Sequence, residues 1–196
     1  MNIFVGGVNG IGKSTILRRV AQIDKRFEVV HYSGAVMQQL GLNPSDYEAF
    51  HKVDMIRCNQ ATAEVMSGLI SRQTAKIRFI DGHYLAIREG EIFRLAGDWV
   101  AGLDGLVLVA AELAVAWERL QIDGRWQSRR IFTPDATPSE AQTELARNLE
   151  QTSQEFERWS EQYQKDHFVL THNDDDAERA TRQLINFCDT VRAERH

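Results

Sequence analysis

The sequence predicts an α/β fold in which helices cover both faces of a parallel β-sheet. Two observations predict it: short apolar runs rich in Val, Ile and Phe recur along the chain, and segments with helical periodicity lie between them. This alternation is typical of parallel strands that are joined by helical crossovers. A length of 196 residues is sufficient for one domain with a full hydrophobic core.

Five of the apolar runs are predicted strands, and they lie at residues 2–6, 27–32, 76–81, 105–111 and 167–172. An amphipathic helix is predicted from about Lys13 to Ile23, directly after the first strand, and another helical segment begins at Ala35. The stretch between the third and fourth strands is expected to be mostly loop.

Two sequences mark the starts of later helices. Ser45–Glu48 and Thr137–Glu140 both match the capping box, in which a hydroxyl and a carboxylate satisfy each other's backbone amides. Pro138 occupies the first position of the second of these helices, which is predicted to run to about Lys165. An apolar stripe on that helix is expected in the core, and it consists of Leu145, Leu149, Phe156, Trp159 and Tyr163.

The composition is that of an ordinary soluble protein. A net charge of −5 argues against a nucleic-acid partner, because such partners select strongly basic surfaces. No apolar run approaches the roughly 18 residues that a membrane span needs, and no signal peptide is recognised. Cys58 and Cys188 have no metal-ligand spacing and are expected to be unpaired thiols. We therefore expect a cytoplasmic protein that has neither nucleic-acid nor membrane partners.

The stretch GVNGIGKS, residues 7–14, matches the phosphate-loop pattern G-x-x-x-x-G-K-[ST] between a predicted strand and a predicted helix. Its glycines allow consecutive amides to point at phosphate oxygens, and the helix adds its own N-terminal amides. Lys13 is expected to reach the β- and γ-phosphates, and Ser14 to ligate Mg²⁺. The residues predicted to bind ATP are Gly7, Asn9, Gly10, Ile11, Gly12, Lys13, Ser14 and Thr15.

A phosphate loop serves hydrolysis, phosphoryl transfer or nucleotide-dependent binding. The guanine-recognition sequence Asn-Lys-x-Asp of GTPases is absent. The segment 121–136 has no clear periodicity and carries Arg125, Arg129 and Arg130 shortly after Arg119. Mobile arginines of this kind neutralise the charge on a transferred phosphoryl group, which favours transfer to a small acceptor.

The chain resembles the archaeal-type adenylate kinases, which are small P-loop nucleoside monophosphate kinases, from Ile3 to about Asn173. The motifs that carry the resemblance are GGVNGIGKST, VVHYSGAVM, FHKVDMIRCNQATAEV, FIDGHYL and WERL, in that order. It implies a single P-loop kinase domain over residues 1–196, whose core comprises residues 1–34, 74–120 and 137–196. It also implies an inserted acceptor-binding lobe at about 35–73 and a lid at about 121–136.

The resemblance further implies roles for individual residues. Gly34 would allow close approach of the acceptor nucleotide. Arg57 would hold the acceptor's phosphate, Gln60 would reach its base, and His83 would lie near its phosphate. Asp81 would orient Mg²⁺ through water.

Four arginines complete the implied site. Arg119 would contact the donor nucleotide, and Arg125, with either Arg129 or Arg130, would bridge the phosphates. The expected reaction is reversible transfer of the γ-phosphoryl group of ATP to a nucleoside monophosphate, with AMP as the implied acceptor. The alternatives are a P-loop kinase for another small-molecule acceptor, and a slow ATPase or nucleotide-dependent binding protein. The oligomeric state stays open.

Overall fold

Strands and helices alternate along the computed structural model, which describes residues 1–95, 97–122, 131–173 and 176–194. A short 3₁₀ helix, Asp98–Gly102, lies between the fifth and sixth strands. In chain order the other elements are β1 (Asn2–Gly6), α1 (Lys13–Ile23), β2 (Phe27–His31), α2 (Tyr32–Gln39), α3 (Tyr47–His51), α4 (Met55–Ser71), β3 (Ile77–Asp81), β4 (Leu85–Arg88), β5 (Glu91–Arg94), β6 (Gly105–Ala110), α5 (Leu113–Ile122), α6 (Pro138–Tyr163), β7 (His167–Thr171) and α7 (Ala177–Ala193).

The central sheet has five parallel strands in the order β2-β3-β1-β6-β7, and these are the five strands predicted from the sequence. The middle strand β1 pairs with β3 on one side and with β6 on the other, and every one of its residues is buried. Its register places Val5 opposite Asp81, so the carboxyl ends of β1 and β3 meet at one edge of the sheet. The phosphate loop leaves the sheet at this edge.

The hydrophobic core lies on both faces of the sheet. Ile3 and Val5 belong to a cluster that includes α1 and α7, whereas Phe4, between them, belongs to a cluster on the opposite face. The ring of Phe4 lies 5.4 Å from that of Trp159 on α6 and 5.9 Å from that of Trp99. Alternation along a strand thus produces two cores, as expected for a sheet covered on both faces.

The structure confirms the predicted start of helix α6. Thr137 accepts a hydrogen bond from the amide of Glu140, whose side chain accepts one from the amide of Thr137. The helix ends at Tyr163, shortly before the predicted Lys165, because Gln164 adopts a left-handed conformation with φ 48°. The apolar stripe is in the core as expected: Leu145, Phe156 and Trp159 are fully buried, and Leu149 and Tyr163 partly so.

The capping box predicted at Ser45 is wrong by one residue. Asp46 caps α3, and its carboxylate accepts from the amide of Ala49 at 2.9 Å. The Ser45 hydroxyl instead donates to the side chain of Asn43 at 2.8 Å. An ionised carboxylate is the stronger acceptor for a helix-terminal amide, so aspartate takes the position that the pattern assigned to serine.

The stretch predicted to be mostly loop contains the antiparallel hairpin β4–β5, in which Arg88 pairs with Glu91. Glu89 and Gly90 form its two-residue turn with φ values of 53° and 79°. Positive φ at both turn residues is the geometry that joins twisted strands most directly. The prediction failed because the turn is Glu-Gly, which lacks the usual asparagine or aspartate at its first position.

Two further features bear on the sequence predictions. Residues 123–130 of the predicted lid, and with them Arg125, Arg129 and Arg130, lie outside the described residues. At the end of this segment Ile131 and Phe132 are buried. Within the described part of the chain, no helix combines the length and apolar character that a bilayer span requires.

Candidate active site

The phosphate loop joins β1 to α1, and its glycines are conformationally required. Gly7 and Gly12 have φ values of 151° and 94°, which residues other than glycine rarely adopt. A Cβ added to Gly7 would lie 2.5 Å from the carbonyl oxygen of Val109. Gly12 caps α1 without a side-chain hydrogen bond to the helix amides, so the positive end of the helix opens onto the loop.

Lys13 begins α1 and turns back over the loop. Its ammonium donates to the carbonyl oxygens of Gly7 at 2.9 Å and Val8 at 2.8 Å, and the residue is only 7% exposed. A positive charge is thereby held within the curve of backbone that the motif assigns to the triphosphate. Thr15, in the same helical turn, is exposed, and Asn9 is half-buried.

A short chain of hydrogen bonds links the start of α1 to the carboxyl ends of β2 and β3. The Ser14 hydroxyl donates to Asp81 Oδ2 at 2.7 Å, and His31 Nδ1 lies 3.1 Å from the same oxygen. The Asp81 side chain is 8% exposed. A hydroxyl and a carboxylate side by side are hard oxygen ligands, and Mg²⁺ is commonly held by one or two such groups together with substrate phosphates. Ser14 and Asp81 therefore fit the predicted metal role.

His83 lies directly against the phosphate loop. Its Nδ1 is 2.7 Å from the carbonyl oxygen of Gly7, and because a carbonyl only accepts, Nδ1 carries the proton. The tight packing of Gly82 fixes the preceding turn, since a Cβ there would lie 2.8 Å from the ring of Phe4. His83 is therefore placed by backbone packing as well as by its hydrogen bond.

Arg119, near the end of α5, ties the loop to the end of β7. Its guanidinium donates to the carbonyl oxygens of Ile11 at 3.2 Å and His172 at 2.8 Å. Leu120, the next residue, packs against Gly10, where an added Cβ would lie 2.6 Å from Leu120 Cδ2. The structure thus puts Arg119 beside the phosphate loop, where it supports the loop backbone. Its contact with the donor nucleotide stays a prediction.

A cavity of about 740 Å³ adjoins the phosphate loop. Its wall includes Gly7, Val8 and Asn9 of the loop together with His83, and it extends between α3, α4, the hairpin and α6. Its other lining residues are mostly apolar or aromatic, with a few polar side chains among them: Tyr32, Ser33, Tyr47, Glu48, Phe50, His51, Met55, Cys58, Thr62, Leu85, Ala86, Ile87, Arg88, Leu95, Ile131, Leu145, Asn148 and Thr152. Apolar walls with scattered polar groups are characteristic of small-molecule sites.

The structure brings only part of the predicted acceptor set to this cavity. His83 lines it, but Arg57 and Gln60 are exposed on α4 and do not. Asp54 caps α4 so that Met55, Cys58 and Thr62 face the cavity, and the 3.6-residue period then turns positions 57 and 60 away from that face.

Gly34 also lies outside the cavity lining, although the preceding Ser33 belongs to it. A Cβ on Gly34 would meet only Pro44 at 3.8 Å, an ordinary contact. The described residues around position 34 therefore leave room for a larger side chain and do not require glycine there.

Several residues that sequence reasoning missed hold the cavity together. Tyr32 and Thr62 share a hydrogen bond of 2.9 Å, and burial raises the pKa of Tyr32 to about 12. Arg88 donates to the carbonyl oxygens of Val53 at 2.9 Å and Phe50 at 3.4 Å, joining β4 to the α3–α4 connection. Burial also raises the pKa of Cys58, which keeps this thiol neutral at pH 7.

Asn148 and Thr152 on α6 were missed for a different reason. Both fall on the stripe that the helical period assigns to the buried face, yet both are polar. They are 1% and 4% exposed. The detectable signal was this interruption of an apolar stripe by side chains that need hydrogen-bond partners.

Comparison with known proteins establishes the fold. Neither a protein-family model nor the sequence of a curated protein matches the chain. Shikimate kinase from Bacteroides thetaiotaomicron superposes with a TM-score of 0.67 at 13% identity, covering 96% of this chain and 98% of its own. Shikimate kinase from Acinetobacter baumannii, in complex with shikimate, gives 0.67 at 14% identity over 96% and 93%.

The shikimate kinase of Aquifex aeolicus gives a TM-score of 0.56 at 14% identity, with 97% of each chain covered. Likeness at this identity concerns the backbone architecture. The chain therefore has the P-loop kinase fold, which confirms the predicted fold class. The narrower resemblance to archaeal-type adenylate kinases stays a prediction.

Proposed function

We propose that the protein is an ATP-dependent phosphotransferase whose acceptor is a small molecule bound in the cavity beside the phosphate loop. One observation carries the proposal: Gly7, Val8 and Asn9 belong to both the loop and the cavity wall, and His83, which also lines the cavity, lies 2.7 Å from the carbonyl oxygen of Gly7. A molecule in the cavity would thus lie against the part of the loop that would hold the terminal phosphates of ATP. Donor and acceptor would share one enclosed cleft.

The donor side fits ATP with Mg²⁺. The loop amides and the N-terminus of α1 would bind the phosphates, and Lys13 would supply a positive charge close to them. Ser14 and Asp81 would hold Mg²⁺, which supplies charge neutralisation at the phosphates when bound. The arginines Arg125 and Arg129, predicted to act on the transferred group, remain part of this proposal.

The reaction needs no covalent intermediate on the protein. An oxygen of the acceptor would form a bond to the γ-phosphorus as the bond from that phosphorus to the β–γ bridging oxygen breaks, releasing ADP. When that oxygen belongs to a hydroxyl group, its O–H bond would also break and its proton would pass to solvent. The protein's contribution is positioning and charge neutralisation, and the apolar cavity walls exclude water from the transferred group. His83 would contact the acceptor oxygen, because it stands where the cavity meets the loop.

The acceptor that the cavity favours carries hydroxyl groups and little negative charge. Arg88 is the one arginine or lysine among the described residues that line the cavity, and its guanidinium already donates to two carbonyl oxygens. The positive side chains needed to neutralise a phosphate-bearing acceptor would therefore have to come from outside the described residues. The structural likeness to a shikimate kinase that holds shikimate supports the same choice. Shikimate is therefore the first compound to test.

A nucleoside monophosphate is the second candidate acceptor, and the sequence resemblance to archaeal-type adenylate kinases supports it. The three arginines of segment 121–136 would provide the cations that the described cavity lacks. For such an acceptor no general base is needed, since its phosphate is already ionised and acts as the nucleophile.

The test is an acceptor panel. Purified protein with ATP and Mg²⁺ is offered shikimate, AMP, GMP, CMP and UMP separately, and phosphorylated products are measured by chromatography with mass detection. Transfer to one of them, absent in Lys13→Ala, supports the proposal and names the acceptor class. ATP hydrolysis at one rate with every acceptor, and no phosphorylated acceptor, would favour the slow ATPase instead.

A further inference from the structure

Asn148 is a buried carboxamide without a hydrogen-bond partner among the described residues. It lies in the middle of α6, is 1% exposed, and both its Nδ2 and its Oδ1 are unpaired. It lines the cavity together with Leu145 and Thr152, which stand three residues before it and four after it on the same helix face. Asn148 is thus part of the cavity wall.

An unpaired buried amide is costly. Burying a polar group without a compensating hydrogen bond destabilises the folded state, and most buried polar side chains in proteins are paired. A leucine in this position would continue the apolar stripe of α6 at no such cost. The presence of asparagine therefore calls for a partner that the described residues do not supply.

We propose that Asn148 is a specificity-determining residue that recognises the acceptor, an inference that rests on the proposed function. A carboxamide has one accepting oxygen and one donating nitrogen. Its full satisfaction requires a ligand that offers a donor and an acceptor side by side, as two neighbouring hydroxyl groups or the amide-like edge of a nucleobase do. A carboxylate or phosphate offers acceptors only and would leave Oδ1 unpaired. Asn148 therefore binds the uncharged part of the acceptor.

The test compares Asn148→Leu and Asn148→Asp with Asn186→Asp as a matched control. Asn186 is exposed on α7 and lies outside the cavity lining. The readouts are the melting temperature without ligands, the KM for ATP, and the KM for whichever panel compound the wild type phosphorylates. Leucine keeps the size of the side chain and removes both polar atoms, whereas aspartate keeps the shape and removes the donor.

We expect Asn148→Leu to melt at the wild-type temperature or above it, because an unpaired buried polar group has been removed. Its acceptor KM should rise about tenfold or more, while the KM for ATP stays the same. Asn148→Asp should also raise the acceptor KM, and Asn186→Asp should change neither constant. An unchanged acceptor KM in Asn148→Leu, or a clearly lower melting temperature, would overturn the assignment.

Failure of the proposed function is distinguishable from failure of this inference. If the wild type phosphorylates no panel compound, thermal shifts with shikimate and with AMP decide about Asn148. A compound that raises the melting temperature of the wild type but not of Asn148→Leu would support recognition by Asn148. Equal shifts in both proteins, or none in either, would overturn it.

Discussion

The phosphate loop and the acceptor cavity adjoin each other, but they are built in opposite ways. The loop comes from one continuous stretch, residues 7–14, and its polar groups are tied to the protein: Lys13 to loop carbonyls and Ser14 to Asp81. The cavity collects residues from Gly7 to Thr152, including Asn148, whose carboxamide has no partner among the described residues. The proposed donor side is thus preorganised, whereas the proposed acceptor side keeps hydrogen-bonding capacity for a ligand.

The two regions make different contributions to the proposed reaction. A preorganised loop serves a cofactor that is the same in many proteins, since its chemistry is fixed by phosphates. The cavity is held together by contacts within its own wall, such as the one between Tyr32 and Thr62. Lining side chains that take no part in such contacts can change without loss of the framework, and the proposed substrate choice would reside in them.

The largest effect is expected at Lys13. Replacing it by alanine removes the ammonium held in the loop and should lower the rate of acceptor phosphorylation by about 10²–10³-fold. Lys25→Ala is the matched control, because Lys25 is exposed at the end of the first helical crossover. Steady-state rates with saturating acceptor measure the effect. Equal rates for the two variants would mean that the loop does not bind the donor.

The next effect concerns the proposed Mg²⁺ ligands on the donor side. Asp81→Asn keeps the shape but removes the charge that faces Ser14, and it should lower activity by about 10- to 100-fold. Raising the Mg²⁺ concentration should restore part of the loss, which a titration of rate against Mg²⁺ would show. A loss that Mg²⁺ does not relieve would assign Asp81 a purely structural role.

Cysteine alkylation tests the cavity, which is the second of the two regions compared. Cys58 lines the cavity, whereas Cys188 is fully buried on α7, where burial raises its pKa to about 12. Iodoacetamide should modify Cys58 several-fold faster, and bound acceptor should slow that reaction only. Because burial raises the pKa of Cys58 as well, its rate should keep increasing above pH 8.5, by about tenfold per unit below the pKa.

Peptide mass spectrometry over time measures both alkylation rates. Equal rates for the two thiols, or no protection of Cys58 by a compound that is phosphorylated, would show that the acceptor binds elsewhere. The ligand-free protein at each pH is the control, since a change of structure with pH would alter both thiols together.

The smallest effect is expected at Arg57. Its side chain is exposed and lies outside the cavity lining, so Arg57→Ala should change the acceptor KM by no more than about twofold. The resemblance to archaeal-type adenylate kinases implies a large increase instead. The acceptor KM of Arg57→Ala decides between these two expectations. Arg72→Ala, at the exposed end of the same helix, is the control.

The parts of the molecule that the sequence predicts correctly are those with local signals. The five strands follow from apolar runs, the start of α6 from Thr137–Glu140, and the phosphate loop from its glycines and Lys13. Each depends on residues a few positions apart. Local patterns also failed where two residue types compete, as at Ser45 and Asp46, and where a turn has an uncommon sequence, as at Glu89 and Gly90.

The acceptor cavity could not be predicted in the same way. Its lining depends on which face of α4 and α6 turns inward, and that is set by packing across the sheet. A shift of two positions along α4 separates the exposed Arg57 from the cavity-lining Met55. Asn148 lies on α6 beside Leu149 of the predicted core stripe, and its lack of a partner among the described residues became visible only with the surrounding side chains in place.

The most direct test of the central claim is the ratio of phosphorylated acceptor to ADP formed, measured with and without acceptor. A kinase whose acceptor lies beside the loop should form one phosphorylated acceptor for each ADP, and almost no ADP when the acceptor is omitted. That result would confirm coupling between the loop and the cavity. ADP formed at the same rate without acceptor would contradict the account and leave the protein an ATPase.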